Sequence, residues 1–242
     1  MDVAYWDAMA DAFDEEIFNS LKEDAGGVIR RAIAGVARPR GRVMDFGCGV
    51  GRYLPLLSGL FGTVHATDWS PNCVQRATRV AARLPNVTVG LPGGYRGRTW
   101  SGWFDAVTAI NVLFHPSPQR RAKVLSEIRR LLRTRARAVF VVPSLEAIAY
   151  ADAVRRAHAP RVRSLYRFGV PASQRDPGIL EIQGVLYKHF VGEELIHALQ
   201  GAGFAPGPLQ RVEYSWDTEA AEPPRRMTGA RPWDWLVVAR RA

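Results

Sequence analysis

Asp45 is followed at alternate positions by Gly47, Gly49 and Gly51 in the stretch VMDFGCGVGRYL, residues 43–54. Glycines let the backbone turn tightly and approach a ligand closely. An acid just ahead of them accepts hydrogen bonds from a cationic or hydroxylated group. The chemistry on offer is the cradling of a cofactor, and Cys48 sits inside the cradle. A dinucleotide fingerprint would need Gly-x-Gly-x-x-Gly, but Arg52 stands where its third glycine belongs. A second acid, Asp68, comes 17 residues after Gly51, the distance occupied by one helix and one strand. Doubly wound nucleotide folds grip a ribose diol with an acid at that place. The competing role for Asp68 is helix N-cap. Its register with Asp45 and the glycines favours the ribose.

These residues need strands and helices to hold them. Val43, Met44 and Phe46 form the short apolar run of a buried parallel strand, and Tyr53, Leu54, Leu56 and Leu57 open a helix. Further strands are expected at 63–66, 86–89, 104–110 and 136–142, with helices from Pro71 and over 118–132. Ser70 or Asp68 caps the first of these helices. Strands apolar on both faces, alternating with helices, predict a doubly wound, mostly parallel sheet with right-handed crossovers. Residues 2–37 read as helical with a break at Gly26-Gly27. Tyr5, Met9, Phe13, Ile17 and Leu21 recur at helical spacing there. Residues 145–157 predict a helix, 158–178 a loop, 179–190 a strand and 191–202 a helix. Residues 209–216 and 233–239 predict closing strands around a polar loop, 217–232.

An acid followed by Gly-x-Gly-x-Gly resembles the first motif of the class I S-adenosylmethionine-dependent methyltransferases of small molecules. The likeness extends over 41–142 and 191–240, including EELIHALQGAGF before the sixth strand. It implies a seven-stranded α/β sheet with an antiparallel last strand, an N-terminal helical lid over 1–40 and a core over 41–242. Residues 143–190 would be a substrate-side insertion after strand 5. It implies S-adenosyl-L-methionine as the cofactor, held by Asp45, Gly47, Cys48, Gly49, Gly51, Asp68 and Trp69. NVLFH, residues 111–115, is similar to the family's fourth motif, placing Asn111 at the methionine end and Phe114 and His115 by the transferred methyl. Tyr5-Trp6-Asp7 with Phe13-Asp14 is similar to the family's lid. The family's acid for adenine is replaced here by Gly90-Leu91-Pro92-Gly93-Gly94.

Methyl transfer needs alignment and a dry pocket. Tyr5, Trp6, Trp69, Phe114 and Tyr187 are candidate walls. His115, at the end of strand 4, is the first candidate general base, against a structural role at the pocket rim. His189 is the second, with Lys188-His189 alternatively a cationic grip on the substrate. His158 and His197 read as solvent-facing and His65 as packing. Arg155, Arg156, Arg161, Arg163 and Arg167 suggest an anionic group on a small acceptor, methylated at oxygen rather than nitrogen.

The composition narrows the partners. The 242 residues are 47% hydrophobic and 23% charged, an ordinary globular balance. No apolar run is long enough for a membrane span. Cys48 and Cys73 lack metal-type spacing, so neither a disulfide framework nor a metal site is expected, and a reducing cytoplasm is the natural setting. The net charge is +10, almost all from arginine. That charge prompts an RNA methyltransferase as a rival, although no RNA-binding module is recognisable and nucleic acid is not the expected partner. A non-catalytic cofactor-binding regulator and a nicotinamide oxidoreductase are the other rivals. Asn111-Val112-Leu113-Phe114 differs from the Asn/Asp-Pro-Pro-Tyr/Phe of amino-methylating enzymes.

Overall fold

Period-two alternation in the strands sends side chains to two helical layers. In the computed structural model β5 (Leu132–Pro143) places Phe140 and Val142 in one core and Val139 and Val141 in the other. The structure describes residues 3–11, 13, 17–93, 100–158, 178–182, 184–218, 229 and 231–242. The parallel part of the sheet is β1 (Arg42–Phe46), β2 (Thr63–Thr67), β3 (Val87–Gly90), β4 (Phe104–Ile110) and β5, in the order β3-β2-β1-β4-β5. The order reverses at β1, so the clefts at the carboxyl ends of β1, β2 and β4 are where such sheets bind ligands. The antiparallel β10 (Trp233–Arg241) lies beside β5.

The helices are set by caps and apolar stripes. Of the N-terminal helices α1 (Val3–Met9), α2 (Ser20–Glu23) and α3 (Val28–Val36), the last buries Ile29, Ala32, Ile33 and Val36. Gly27 offers α3 no capping side chain, and the Asp24 carboxylate instead accepts from the Val28 and Ile29 amides. After α4 (Leu54–Leu60), Ser70 caps α5 (Pro71–Ala81) and Ser117 caps α6 (Pro118–Leu131), each followed by a proline at the first helical position. The remaining helices are α7 (Leu145–His158) and α8 (Gly192–Gly201). Among the described residues no helix is long and apolar enough to cross a membrane.

Three expectations are corrected. Among the described residues before Gly26 the helix is interrupted: α1 ends at Met9, residues 17–19 are not helical, and α2 starts at Ser20. The carbonyls of Ile17 and Phe18 accept from the Arg52 guanidinium, an alternative to a continuous helical ladder, while the Phe13 carbonyl accepts from both Arg52 and the Ile17 amide. The strand at 179–190 is a hairpin, β6 (Ile179–Ile182) paired with β7 (Val185–Lys188), and Gly184 supplies the positive φ its turn needs. The sixth strand is divided into β8 (Phe204–Pro206) and β9 (Gln210–Glu213), both on the same edge of β10. Pro206 and Pro208 have no amide proton to give to a ladder, which explains the gap. The sheet therefore has seven lanes built from eight segments.

Candidate functional site

The carboxyl ends of β1, β2 and β4 open into a cavity of about 500 Å³. Its floor is the glycine turn. Gly47, Gly49 and Gly51 have φ of 74°, 53° and 89°, and the Gly47 and Cys48 amides both donate to the Thr67 carbonyl. The turn is closed against its surroundings: a Cβ on Gly51 would stand 2.8 Å from Leu54 Cδ1 and 3.1 Å from Ala77 Cα.

Two residues lining this cavity, Asp45 and Asn111, each carry a buried oxygen without a hydrogen-bond partner, Oδ2 and Oδ1 respectively. Asp45 is 3% exposed, and its other oxygen accepts from the Thr108 hydroxyl at 2.8 Å. Burial pushes its pKa up to about 7, with the Asp68 charge adding to the effect and the Thr108 bond opposing it. Asn111 holds φ at 53°, a left-handed conformation that costs a non-glycine residue on the order of 1–3 kcal/mol. Its amide donates to the Val141 carbonyl. Strand β4 thus ends on a strained residue whose side-chain oxygen is left for a ligand.

Asp68 lies one strand away. Its Oδ2 accepts from the Gly49 amide and its Oδ1 from the Ser70 amide, each at 2.9 Å. Burial raises its pKa, while those amides pull it down. A carboxylate has about four lone-pair positions, so room remains for a diol. Trp69, next to it, lines the cavity and is 61% exposed. Cys48 and Cys73 are free and buried, and burial pushes both thiols up, Cys73 to about 11. Neither is a nucleophile there.

The N-terminal segment closes the cavity through polar bonds. Asp7 Oδ1 accepts from the Ser70 hydroxyl and the Asn72 amide, fixing α1 to the start of α5. Arg76 donates to the Ala10 and Asp11 carbonyls, and Arg52 to those of Phe13, Ile17 and Phe18. The Arg52 guanidinium also lies 4.8 Å from the centre of the Phe13 ring. Trp6, Phe13, Ile17 and Phe18 thereby form part of the lining. Trp6 meets Phe114 at 5.5 Å between ring centroids, Phe114 meets Tyr187 at 6.0 Å, and the Tyr5 and Tyr187 hydroxyls are hydrogen-bonded at 2.9 Å. Tyr5, Trp6, Phe114 and Tyr187 are brought together in one aromatic cluster across the lid, β4 and the β6–β7 hairpin.

His115 lines the cavity but is poorly set for proton abstraction. Its Nδ1 accepts from the Ser117 amide at 2.9 Å, and its Nε2 lies 3.2 Å from Arg120 Nη1. A neutral imidazole has one lone pair. The shorter backbone bond takes it, leaving the proton on Nε2.

Other expected site residues lie elsewhere. Lys188 is fully buried and pairs with Glu194, at 2.6 Å to Oε1 and 2.8 Å to Oε2. His189 is buried outside the cavity lining, and burial lowers its pKa to about 4, so it stays neutral. These two positions correct the expected grip and second base: Lys188 ends β7 and His189 follows it, and both are buried away from the cavity lining. Arg155 and Arg156 do not line the cavity either, and Arg156 pairs with Asp152. Arg161, Arg163 and Arg167 lie outside the described residues. The strip 90–93, in place of the adenine acid, is not part of the lining.

Sequence reasoning missed Arg52, Arg76, Arg120 and Lys123 as parts of this region. Arg52 carried a usable signal, a long cation inside a glycine turn. Arg120 reads as a solvent-facing position on its helix, and no local pattern separates it or Lys123 from other surface cations.

A family model described as a methyltransferase domain matches residues 43–135. The structure is similar to that of a Methanosarcina mazei SAM-dependent methyltransferase, at 19% identity and a TM-score of 0.60, covering 86% of this chain and 96% of that one. It is also similar to Burkholderia thailandensis 1,6-didemethyltoxoflavin-N1-methyltransferase, solved with 1,6-didemethyltoxoflavin and S-adenosylhomocysteine bound. There the identity is 18% and the TM-score 0.62, over 99% of this chain and 86% of that one. An Aquifex aeolicus SAM-dependent methyltransferase matches over 100% of both chains at 17% identity and a TM-score of 0.56. At these identities the likeness is one of fold. Nothing among curated proteins matches the sequence.

Proposed function

We propose that the chain is a class I S-adenosylmethionine-dependent methyltransferase that transfers a methyl group from S-adenosylmethionine to an oxygen of a small, anionic acceptor. The observation that carries this reading is the pair of buried oxygens without partners, Asp45 Oδ2 and Asn111 Oδ1, on residues that line one cavity beside a glycine turn. Buried acceptors without partners cost on the order of 1–3 kcal/mol each, and more when charged. A ligand carrying an ammonium group offsets that cost. The residues present therefore fit the cofactor: Asp45 and Asn111 for its amino-acid end, the glycine turn for its close approach, Asp68 for its ribose, and Trp69 flanking it.

When bound, S-adenosylmethionine supplies a methyl carbon on a sulfonium sulfur, which a nucleophile displaces while the C–S electron pair stays with sulfur. What this chain adds is alignment and dryness. In this reading Trp6 and Phe114, which line the cavity, bound its acceptor side and keep it dry, while Phe13 packs against Gly49 of the turn. Holding the partners in line is worth up to about 7–11 kcal/mol in well-oriented cases. Oxygen is favoured by the state of His115, whose lone pair already serves the Ser117 amide. An acidic oxygen brings its own lone pair, whereas an ammonium nitrogen must first lose a proton. In this reading residues 1–40 are the lid, 143–190 are the insertion, and the free cysteines suit the cytoplasm.

Isothermal titration with S-adenosylhomocysteine, with NADH as control, tests the cofactor. Micromolar binding of the former alone is expected, and binding of NADH alone refutes the reading. Transfer of labelled methyl to the small-molecule fraction of an extract tests the activity. Label appearing only in macromolecules refutes the small acceptor.

A further inference from the structure

The cavity is bipolar. Asp45 and Asp68 line it at the ends of β1 and β2, while Arg120 and Lys123 line it from α6, which leaves β4 on the other side. Neither cation forms an ion pair with a carboxylate among the described residues. The Arg120 contact with His115 does not neutralise it. With Nδ1 accepting the Ser117 amide, Nε2 carries the ring proton, and the 3.2 Å approach sets donor against donor. Arg121, only 8% exposed, donates to the His115 and Pro116 carbonyls and fixes the loop beside this pair. Arg120 also stands in the first turn of its helix, where the macrodipole opposes a cation and no acid balances it, and Lys123 follows in the next turn. The placement costs stability in the protein alone and gains from an anion.

We propose that Arg120 and Lys123 hold an anionic substituent of the methyl acceptor, and that this acceptor is a flat aromatic anion. The flat part follows from the aromatic wall of the same cavity. Trp6 and Phe114 both line the cavity, their rings tilted by 53° and backed by Tyr187. Such rings favour planar ligands, and a guanidinium beside an ammonium recognises a carboxylate or a phosphate. The anion reader is thus on α6, and Arg155 and Arg156 do not line the cavity. The inference rests on the methyl-transfer reading for its cofactor but makes a separate demand on the acceptor end.

The test loads the full chain with S-adenosylhomocysteine and titrates 4-hydroxybenzoate, 4-hydroxyphenyl phosphate and the uncharged 4-hydroxybenzamide at low salt. At least one anion should bind tenfold or more tighter than the amide. The double variant Arg120→Met/Lys123→Met should erase that preference while keeping its S-adenosylhomocysteine affinity, which also shows that the variant is folded. Equal binding of acid and amide, no binding of either anion, or a preference that survives in the double variant overturns the proposal. Loss of S-adenosylhomocysteine binding in the wild type would instead count against the cofactor reading. Displacement of the bound anion by bulk transfer RNA, steeply dependent on salt, would overturn the small acceptor in favour of a polynucleotide.

Discussion

Replacing Asp45 by Asn should stabilise the protein and weaken it as a cofactor binder, with opposite dependence on pH. Burial raises the Asp45 pKa from 3.8 to about 7. Between those values the native state holds a proton that the unfolded chain has released, so stability falls as pH rises and the loss is complete above pH 7. At about 1.36 kcal/mol per pH unit, the full span amounts to roughly 4 kcal/mol. Asn mimics the protonated acid and can still accept the Thr108 hydroxyl. Urea unfolding should therefore show Asp45→Asn more stable than the wild type at pH 8, by up to about 4 kcal/mol, and equal to it near pH 4. Binding should run the other way. An ammonium group prefers the ionised carboxylate, so wild-type affinity for S-adenosylhomocysteine should rise from pH 5.5 to pH 8 with release of a proton. In the variant the affinity should be flat and at least about a hundredfold weaker at pH 8, as for loss of one partner of a buried charge pair. A variant that gained no stability at pH 8, or bound as tightly as the wild type, would refute this account of the orphaned oxygen.

Asp68→Ala removes the acceptor that two amides hold in place, and the dissociation constant for S-adenosylhomocysteine should rise about a hundredfold; unchanged affinity would remove the ribose contact. Arg52→Ala deletes three charge-assisted bonds to carbonyls of the lid. Discounted for their exposure, these should be worth about 1.5–3 kcal/mol together, read as tenfold or more weaker cofactor binding and faster protease cleavage in residues 10–19. His115→Gln should lower kcat by less than about tenfold, since a general base would be worth 10²–10⁴. Lys188→Met should cost stability in thermal melts by stranding Glu194, with the acceptor KM unchanged; a raised KM would return Lys188 to the site.

The parallel core was legible because its signals are local. Apolar runs of strand length, serine caps ahead of prolines, and glycines at alternate positions each state their structure within a few residues. The same locality put Asp45, Asp68 and Asn111 at strand ends, and all three line one cavity. What escaped depends on contacts made at a distance. The helical period through Tyr5, Phe13 and Leu21 is real, but Arg52 competes for the carbonyls that a continuous helix would use. The pair Lys188-His189 looked chemical because both residues are rarely buried. Glu194, six residues on in α8, makes burial of the lysine tolerable. A one-dimensional pattern does not carry that pairing.

Three local rules are broken around one cavity. A carboxylate is buried with one oxygen unpaired, an asparagine holds a left-handed backbone, and a cation, Arg120, stands in the first turn of a helix with no acid to balance it. Each raises the energy of the protein alone. Folds that otherwise obey local preference in their strands and caps keep such costs where a ligand repays them. The signs say what the ligand must bring. Unpaired oxygens ask for a donor or a cation beside β1 and β4, and unpaired cations ask for an anion beside α6. One bound molecule with both charges would span the cavity, but it could not also present a nucleophile in line with the methyl it carries. The arrangement suits two molecules, a cationic cofactor and an anionic acceptor, meeting between Asn111 and Phe114.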